Sequence, residues 1–306
     1  MTTPSNAVPE SLDSQRIALA VLSTTRPLYW SIRRELWENR SIYIGPLVAA
    51  VLFSFGFVIN MVATRHRIGA LPLDAAQQHD LLAQKYELSA ALIMGTAFIV
   101  GIFYSLDALY GERRDRSILF WKSLPVSDLI AVLSKLTIPL VILPLLSFAI
   151  SLATQFIMLL LSSAILAGSG VNIAALWAEV SFFHVSLVLL YHLLTVHGLW
   201  YAPLYGWLLL VSAWARRAPF VWAFLPPFVI CGVEKIAFNT SHFVALLQDR
   251  LLGPGGSMAA HNHQKDFMTT LIPDRFFSTP GLWIGLVVAA AFLAAAVRLR
   301  RCQGPI

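Results

Sequence analysis

The chain has 306 residues, of which 58% are hydrophobic and only 12% charged; its net charge is +6 and its mean hydropathy +0.71. Soluble domains carry about 25% charged residues, so a water-soluble globular protein is excluded. The apolar residues come in runs long enough to cross about 30 Å of hydrocarbon, and the runs do not alternate with period two. That excludes a transmembrane barrel and predicts an all-α, polytopic membrane protein.

The positive charge does not call for nucleic acid, because Lys and Arg gather on the cytoplasmic loops of membrane proteins. Cys231 lies in an apolar run and Cys302 in a basic tail, with no metal-binding spacing between them. Residues 1–26 read as an N-terminal cytoplasmic segment. The segment Met1–Gln15 is polar and lacks a basic region followed by an apolar one, so no cleaved signal peptide is expected.

An amphipathic helix is expected over residues 27–40. Pro27 suits a first helical position, and Leu28, Ile32 and Leu36 recur at i, i+4 and i+8. Arg33, Arg34 and Glu38 fall elsewhere on the wheel. The tryptophans should lie at headgroup level, as on a helix in the cytoplasmic interface.

Residues 41–298 then read as six spans: Ser41–Ala63, Leu88–Tyr110, Leu129–Leu166, Val180–Ala215, Phe220–Phe238 and Gly281–Val297. The break before the first falls at Asn39-Arg40-Ser41, and Ser127-Asp128 is a helix-capping signal before the third. Pro139 and Pro144 predict a kink in the third span. The fourth span is overlong. A split near Gly198 or Pro203 would place Arg216 and Arg217 outside, so one long bent helix is expected instead. With the N-terminus inside, 14 Lys and Arg residues fall on the cytoplasmic side and 7 outside, with Lys135 left inside a span. Both termini, including the tail 299–306, are therefore expected in the cytoplasm. The external segment 239–280 is the longest loop, and Phe243–Leu252 within it can form a short helix.

The most informative stretch is YGERRDRSILFWKSLPVSD, Tyr110–Asp128, between the second and third spans. Arg113, Arg114, Asp115, Arg116 and Lys122 offer charge-assisted contacts. Ile118, Leu119, Phe120 and Trp121 offer an apolar knob, and aromatics with Arg dominate binding hot spots. The competing reading is an ordinary basic loop whose apolar side rests on the membrane. In the spans, His184, His192 and His197 do not share a clean i, i+4 face, so no metal or proton relay is implied. Asp107 lies one turn from the cytoplasmic end, where a hairpin arginine can pair with it. Glu234 and Lys235 end the fifth span near the outer face. No GxxxxGK[ST] loop occurs, so ATP is not bound by that route in this chain.

The text RRELWENR (Arg33–Arg40), the hairpin Tyr110–Asp128, and YAPLYGWLLLVSAWARRAPFVWAFLPP (Tyr201–Pro227) together resemble permease subunits of bacterial type-2 ABC exporters. The resemblance implies a six-span subunit of the inner membrane that forms a translocation pathway as a dimer. It also implies two separate ATPase subunits that bind ATP and Mg, with no catalysis and no cofactor in the permease. By the same resemblance, the amphipathic helix with Arg33, Arg34, Glu35 and Trp37 is an elbow helix. The hairpin residues Arg113, Arg114, Asp115, Arg116, Phe120, Trp121 and Lys122 couple to the ATPase. Asp107, His184, His192, His197 and Glu234 are polar positions of the pathway or its framework. Two alternatives are an ion-gradient transporter and an intramembrane His-dependent enzyme. The spans offer no centrally placed carboxylate for the first. No HExxH or GxSxG supports the second.

Overall fold

A computed structural model describes residues 27–68, 75–123, 126–166, 190–191, 193–252 and 273–304. All secondary structure among the described residues is helical. Five helices are long and apolar enough to cross a membrane: Ser41–Ala63, Leu88–Arg114, Asp128–Ile165, Pro219–Phe238 and Pro280–Cys302. His184 and His192, the loop histidines His261 and His263, and residues 180–189 lie outside the described residues.

The third span contains its expected irregularity. Asp128–Thr137 gives way to a π-helical turn, Ile138–Ile142, before Leu143–Leu166 resumes the α-helix. Pro139 sits inside the turn, and Pro144 has no N–H to return to Leu140 four residues back. Ser127 caps the start, its hydroxyl accepting from the Ile130 N–H at 3.2 Å.

The fourth span, expected as one long bent helix, is bent in its described part. Its described part is a π-helix, Leu193–Trp200, then a turn at Tyr201, then a short apolar helix, Ala202–Trp214. Gly198 lies on the third span's irregular turn, and a Cβ there would sit 3.5 Å from the Leu140 carbonyl. Two π segments thus face each other where backbone spacing is non-standard. Pro203, the second residue of the new helix, is tolerated because its missing N–H would be unpaired there anyway.

The last helix was expected to end at Val297, but it continues to Cys302 and carries Arg298, Arg300 and Arg301 on helical positions. It packs closely on Ala202–Trp214. Gly206 permits this, since a Cβ there would lie 3.3 Å from the Ala289 carbonyl. The Pro219–Phe238 span is peripheral. It touches the bundle through Trp207 donating to the Ala223 carbonyl at 3.1 Å and through Trp214 against Trp222. Phe228, Val229 and Ile236 are exposed.

Hydrogen bonds fix which helix ends lie together. Glu112, Lys135 and Arg300 meet at one end, with Glu35 of the N-terminal helix. At the other end a short helix, His242–Leu252, is tied across the bundle. Trp200 donates to the Asp249 carbonyl at 3.2 Å, and the Tyr201 hydroxyl to the Leu251 carbonyl at 2.9 Å. Arg250 lies over the Trp200 ring at 4.2 Å and donates to the carbonyls of Trp200 and Gly281. Burial lowers the Arg250 pKa from its usual value, with the neighbouring Asp249 opposing the change.

Gly285 makes room for that guanidinium, for a Cβ would stand within 2.9 Å of three of its atoms. Gly285→Leu should therefore expel Arg250 and cost about 1–3 kcal/mol, the range for a lost buried hydrogen-bond partner. Thermal unfolding in detergent would measure it. Adding Arg250→Ala to Gly285→Leu should cost little more, because both remove one interaction; full additivity would disprove the arrangement.

Candidate functional site

The hairpin begins where the second span ends. The helix Ala75–Ala108 passes into a short helix, Tyr110–Arg114, and then Ser117–Ser123. Between the two short helices Arg116 takes a left-handed backbone conformation, φ 58°, which reverses the chain. That conformation is costly for a side chain other than Gly or Asn, so the surroundings must hold it.

The root of the hairpin is clamped to the end of Ala202–Trp214. The Ser212 hydroxyl accepts from the Leu109 and Tyr110 N–H groups at 3.0 and 2.9 Å. In return, Arg113 donates to the carbonyls of Ala213 and Ala215 at 2.5 and 3.2 Å. Each side thus satisfies orphan backbone groups at the other's helix end. Arg113 is buried by this exchange. Its guanidinium is committed inside the chain, which corrects its placement among the outward-facing cations.

Beneath the hairpin lies a buried network of charge. Lys135, 2% exposed, donates to Glu35 at 2.8 Å and lies 3.2 Å from Glu112. Arg34 bonds the same two carboxylates at 2.8 and 3.1 Å. Arg300 donates to Glu112 at 2.5 Å and to Asp128 at 3.1 Å. Tyr104 completes Glu35 with a hydroxyl bond at 2.9 Å. Three inner cations thus face three carboxylates, with Glu38 and Arg301 joining at the exposed edge, and they come from the N-terminal helix, the hairpin, the third span and the last helix. A charge left alone there would be prohibitive, so each is retained only because the others are present.

The hairpin aromatics divide. Trp121 turns inward and carries the Arg34 guanidinium on its face, 3.5 Å from the ring centroid. A cavity of about 160 Å³ opens beside this pair, lined by Trp30, Arg34, Glu112, Trp121 and Lys135 among others. Phe120 and Leu119 point outward, exposed by 60% and 58%. Ile118 is buried beneath them. The knob expected to contain both aromatics is therefore Leu119 and Phe120 outside, with Trp121 as their link to the N-terminal helix. Lys122 donates to the Gln303 carbonyl at 3.1 Å, joining the far side of the hairpin to the chain's tail.

Arg114 and Asp115 are exposed and paired at 3.0 Å, and Arg114 also lies 3.6 Å from Asp107, the partner expected for a hairpin arginine. Arg116 is exposed. Glu234 stands far from all of this. Its carboxylate accepts from Thr240 and from the His242 and Phe243 N–H groups at 2.7–2.9 Å, capping the short helix His242–Leu252. His197 belongs to the π-helix Leu193–Trp200. Among the described residues no group of three or more His, Cys, Asp or Glu converges as a metal site would require.

Glu112, Lys135, Asp128 and Arg300 were missed as members of one site. The signal available was Lys135, the single charge in the third span, since an intramembrane cation implies a carboxylate partner. Which carboxylate it meets was not readable, because Glu35 lies 100 residues away.

Breaking this network from one side should be severe. Lys135→Met leaves Glu35 and Glu112 short of a cation and should cost about 3–5 kcal/mol. Pairing it with Glu35→Gln should restore at least half, because charge balance returns. Chemical unfolding of the detergent-solubilised variants would read both effects; a double variant worse than Lys135→Met would refute charge balance as the cause.

No protein-family model matches this chain, and no curated protein or solved structure is found to be similar to it. The reading of its function rests on the geometry above and on the motifs of the sequence.

Proposed function

We propose that this chain is the membrane-spanning permease subunit of an ATP-driven exporter. It works as a dimer, with two separate ATPase subunits docked at the end of the bundle that carries the hairpin. The observation that supports this reading is the hairpin itself. Arg114, Arg116, Leu119 and Phe120 are exposed on two short helices. Their base is held by buried charges from three other elements. A docking knob on such a base moves as a unit with what it is bonded to. Displacing it displaces the N-terminal helix, the third span and the last helix together.

The short helix Ala202–Trp214 with its π-helical lead-in serves as the sixth crossing in this reading. Both chain termini then lie on the cytoplasmic side, where the hairpin meets its partner, in the bacterial inner membrane. The ion-gradient alternative gains nothing from the buried charges. Lys135 lies eight residues past the Ser127 cap, about 12 Å along the helix, so the network sits near a helix end rather than at midplane.

The test is purification of the tagged chain from its native membrane. A polypeptide with nucleotide-binding motifs should co-purify and hydrolyse ATP. Its absence under mild solubilisation would overturn the proposal. Arg114→Glu with Arg116→Glu should weaken the complex by inverting two exposed charges. Phe120→Ala should weaken it by about 2 kcal/mol, the scale of an interface hot spot. Trp121→Ala should leave binding nearer to normal while reducing efflux from reconstituted vesicles, because it severs the hairpin from Arg34.

Orientation has its own check. In sealed cells, a cysteine replacing His261 should react with an impermeant thiol reagent and one replacing Arg216 should not. Labelling at position 216 would reverse the assignment of sides.

A further inference from the structure

The N-terminal helix, residues 27–38, has an inner and an outer face. Ile32 and Leu36 pack on the bundle core, and Glu35 and Arg34 join the buried charges. The outer face holds Tyr29, Trp30, Arg33 and Trp37. The three rings are exposed by 59%, 57% and 71%. Trp30, Arg33 and Trp37 stand at i, i+3 and i+7 and so form one stripe.

Arg33 is held between the two indoles, its guanidinium carbon 5.2 Å from each ring centroid. Unlike Arg34, it meets no carboxylate and no carbonyl among the described residues. Its planar fork of N–H donors is therefore oriented by aromatic stacking but left without an acceptor.

The level of this stripe follows from the chain. Four residues after Trp37 the Ser41–Ile68 helix begins, and it exposes Ile44, Leu47, Val48, Val51, Leu52 and Phe55. That surface is a lipid-facing belt. The stripe stands at its edge, where the hydrocarbon gives way to headgroups and where Trp is most stable. The acceptor found at that depth in a bilayer is the phosphodiester.

We infer that Arg33, positioned by Trp30 and Trp37, binds the phosphate of an anionic phospholipid headgroup. Two parallel N–H donors match two phosphate oxygens, and the indoles cover the glycerol region; an anionic headgroup is preferred because its phosphate has no choline cation beside it to compete with the guanidinium. This inference rests only on the chain spanning a membrane and is independent of any ATPase partner.

The test uses the full chain in nanodiscs of phosphatidylcholine and phosphatidylglycerol in equal amounts. Lipids still bound after release from the disc are counted by native mass spectrometry. The wild-type chain should retain phosphatidylglycerol over phosphatidylcholine. Arg33→Gln should reduce that preference by about tenfold or more, because it removes both charge-assisted hydrogen bonds. Arg33→Lys should fall between, because it keeps the charge and loses the fork. Arg298→Gln, which removes an exposed charge at the same end of the bundle, should retain the preference. Equal retention of the two lipids by the wild type would overturn the inference. So would an unchanged preference in Arg33→Gln, or an equal loss in Arg298→Gln, which would indicate a diffuse field. A change of oligomeric state in Arg33→Gln would assign the stripe to protein contact and also overturn it.

Discussion

Compensation of buried charge is the constraint on which this molecule depends. Lys135 sits in an otherwise apolar span and must be neutralised. Glu35 and Glu112 do this jointly, and because two carboxylates exceed one cation, Arg34 and Arg300 are drawn in as well. Asp128 then balances Arg300. At its edges Glu38 adds to Arg34 and Arg301 to Asp128, so cations and carboxylates stay equal in number. In closing, the network has joined the N-terminal helix, the hairpin, the third span and the last helix at one end of the bundle.

That closure explains features that are otherwise unrelated. The last helix continues past its apolar stretch because Arg300 must reach Glu112. The inner face of the N-terminal helix lies against the bundle because Glu35 is held from three sides. The hairpin can afford a left-handed residue at Arg116 because Ser212, Arg113 and Glu112 fix the segment just before it. At the opposite end, among the described residues, backbone groups supply most of the partners. There one cation, Arg250, bonds backbone carbonyls across a glycine, a weaker and more separable closure. The two ends thus differ in kind: ion pairs between side chains hold the first, and among the described residues bonds between side chains and backbone groups hold the second.

The N-terminal helix and the hairpin each present two faces with different tasks. Arg34 and Arg33 are adjacent in sequence but separated by about 100° around the helix. The first is consumed by the ionic network and the second is left for solvent or lipid. Phe120 and Trp121 are likewise adjacent, one exposed and one beneath a guanidinium. Neighbouring residues on a helix do not share a face, so a run of similar side chains divides between inside and outside wherever one face is buried.

Several features were written in the sequence. The apolar runs at Ser41, Leu88, Asp128, Pro219 and Pro280 specify spanning helices because lipid leaves the backbone no other way to pair its groups. Ser127 and the break at Asn39 are local signals whose geometry depends on a few neighbours, and the structure has both of them. The Asp107–Arg114 approach was legible for the same reason, lying within two turns of one chain segment. Contacts between distant segments were not legible. That Lys135 meets Glu35, that Glu112 meets Arg300, that Arg113 faces inward and Trp121 sits under Arg34 are all decided by how helices are juxtaposed. A bend in the fourth span was legible from Gly198 and Pro203, but the contact of Gly198 with the irregular turn at Leu140 was not. Hydrophobic length marks which segments can cross, since it is a property of each segment alone, and among the described residues five of the six expected spans have it. Charge pairing across 100 residues or more is a property of the assembled bundle, and only the tertiary structure decides it.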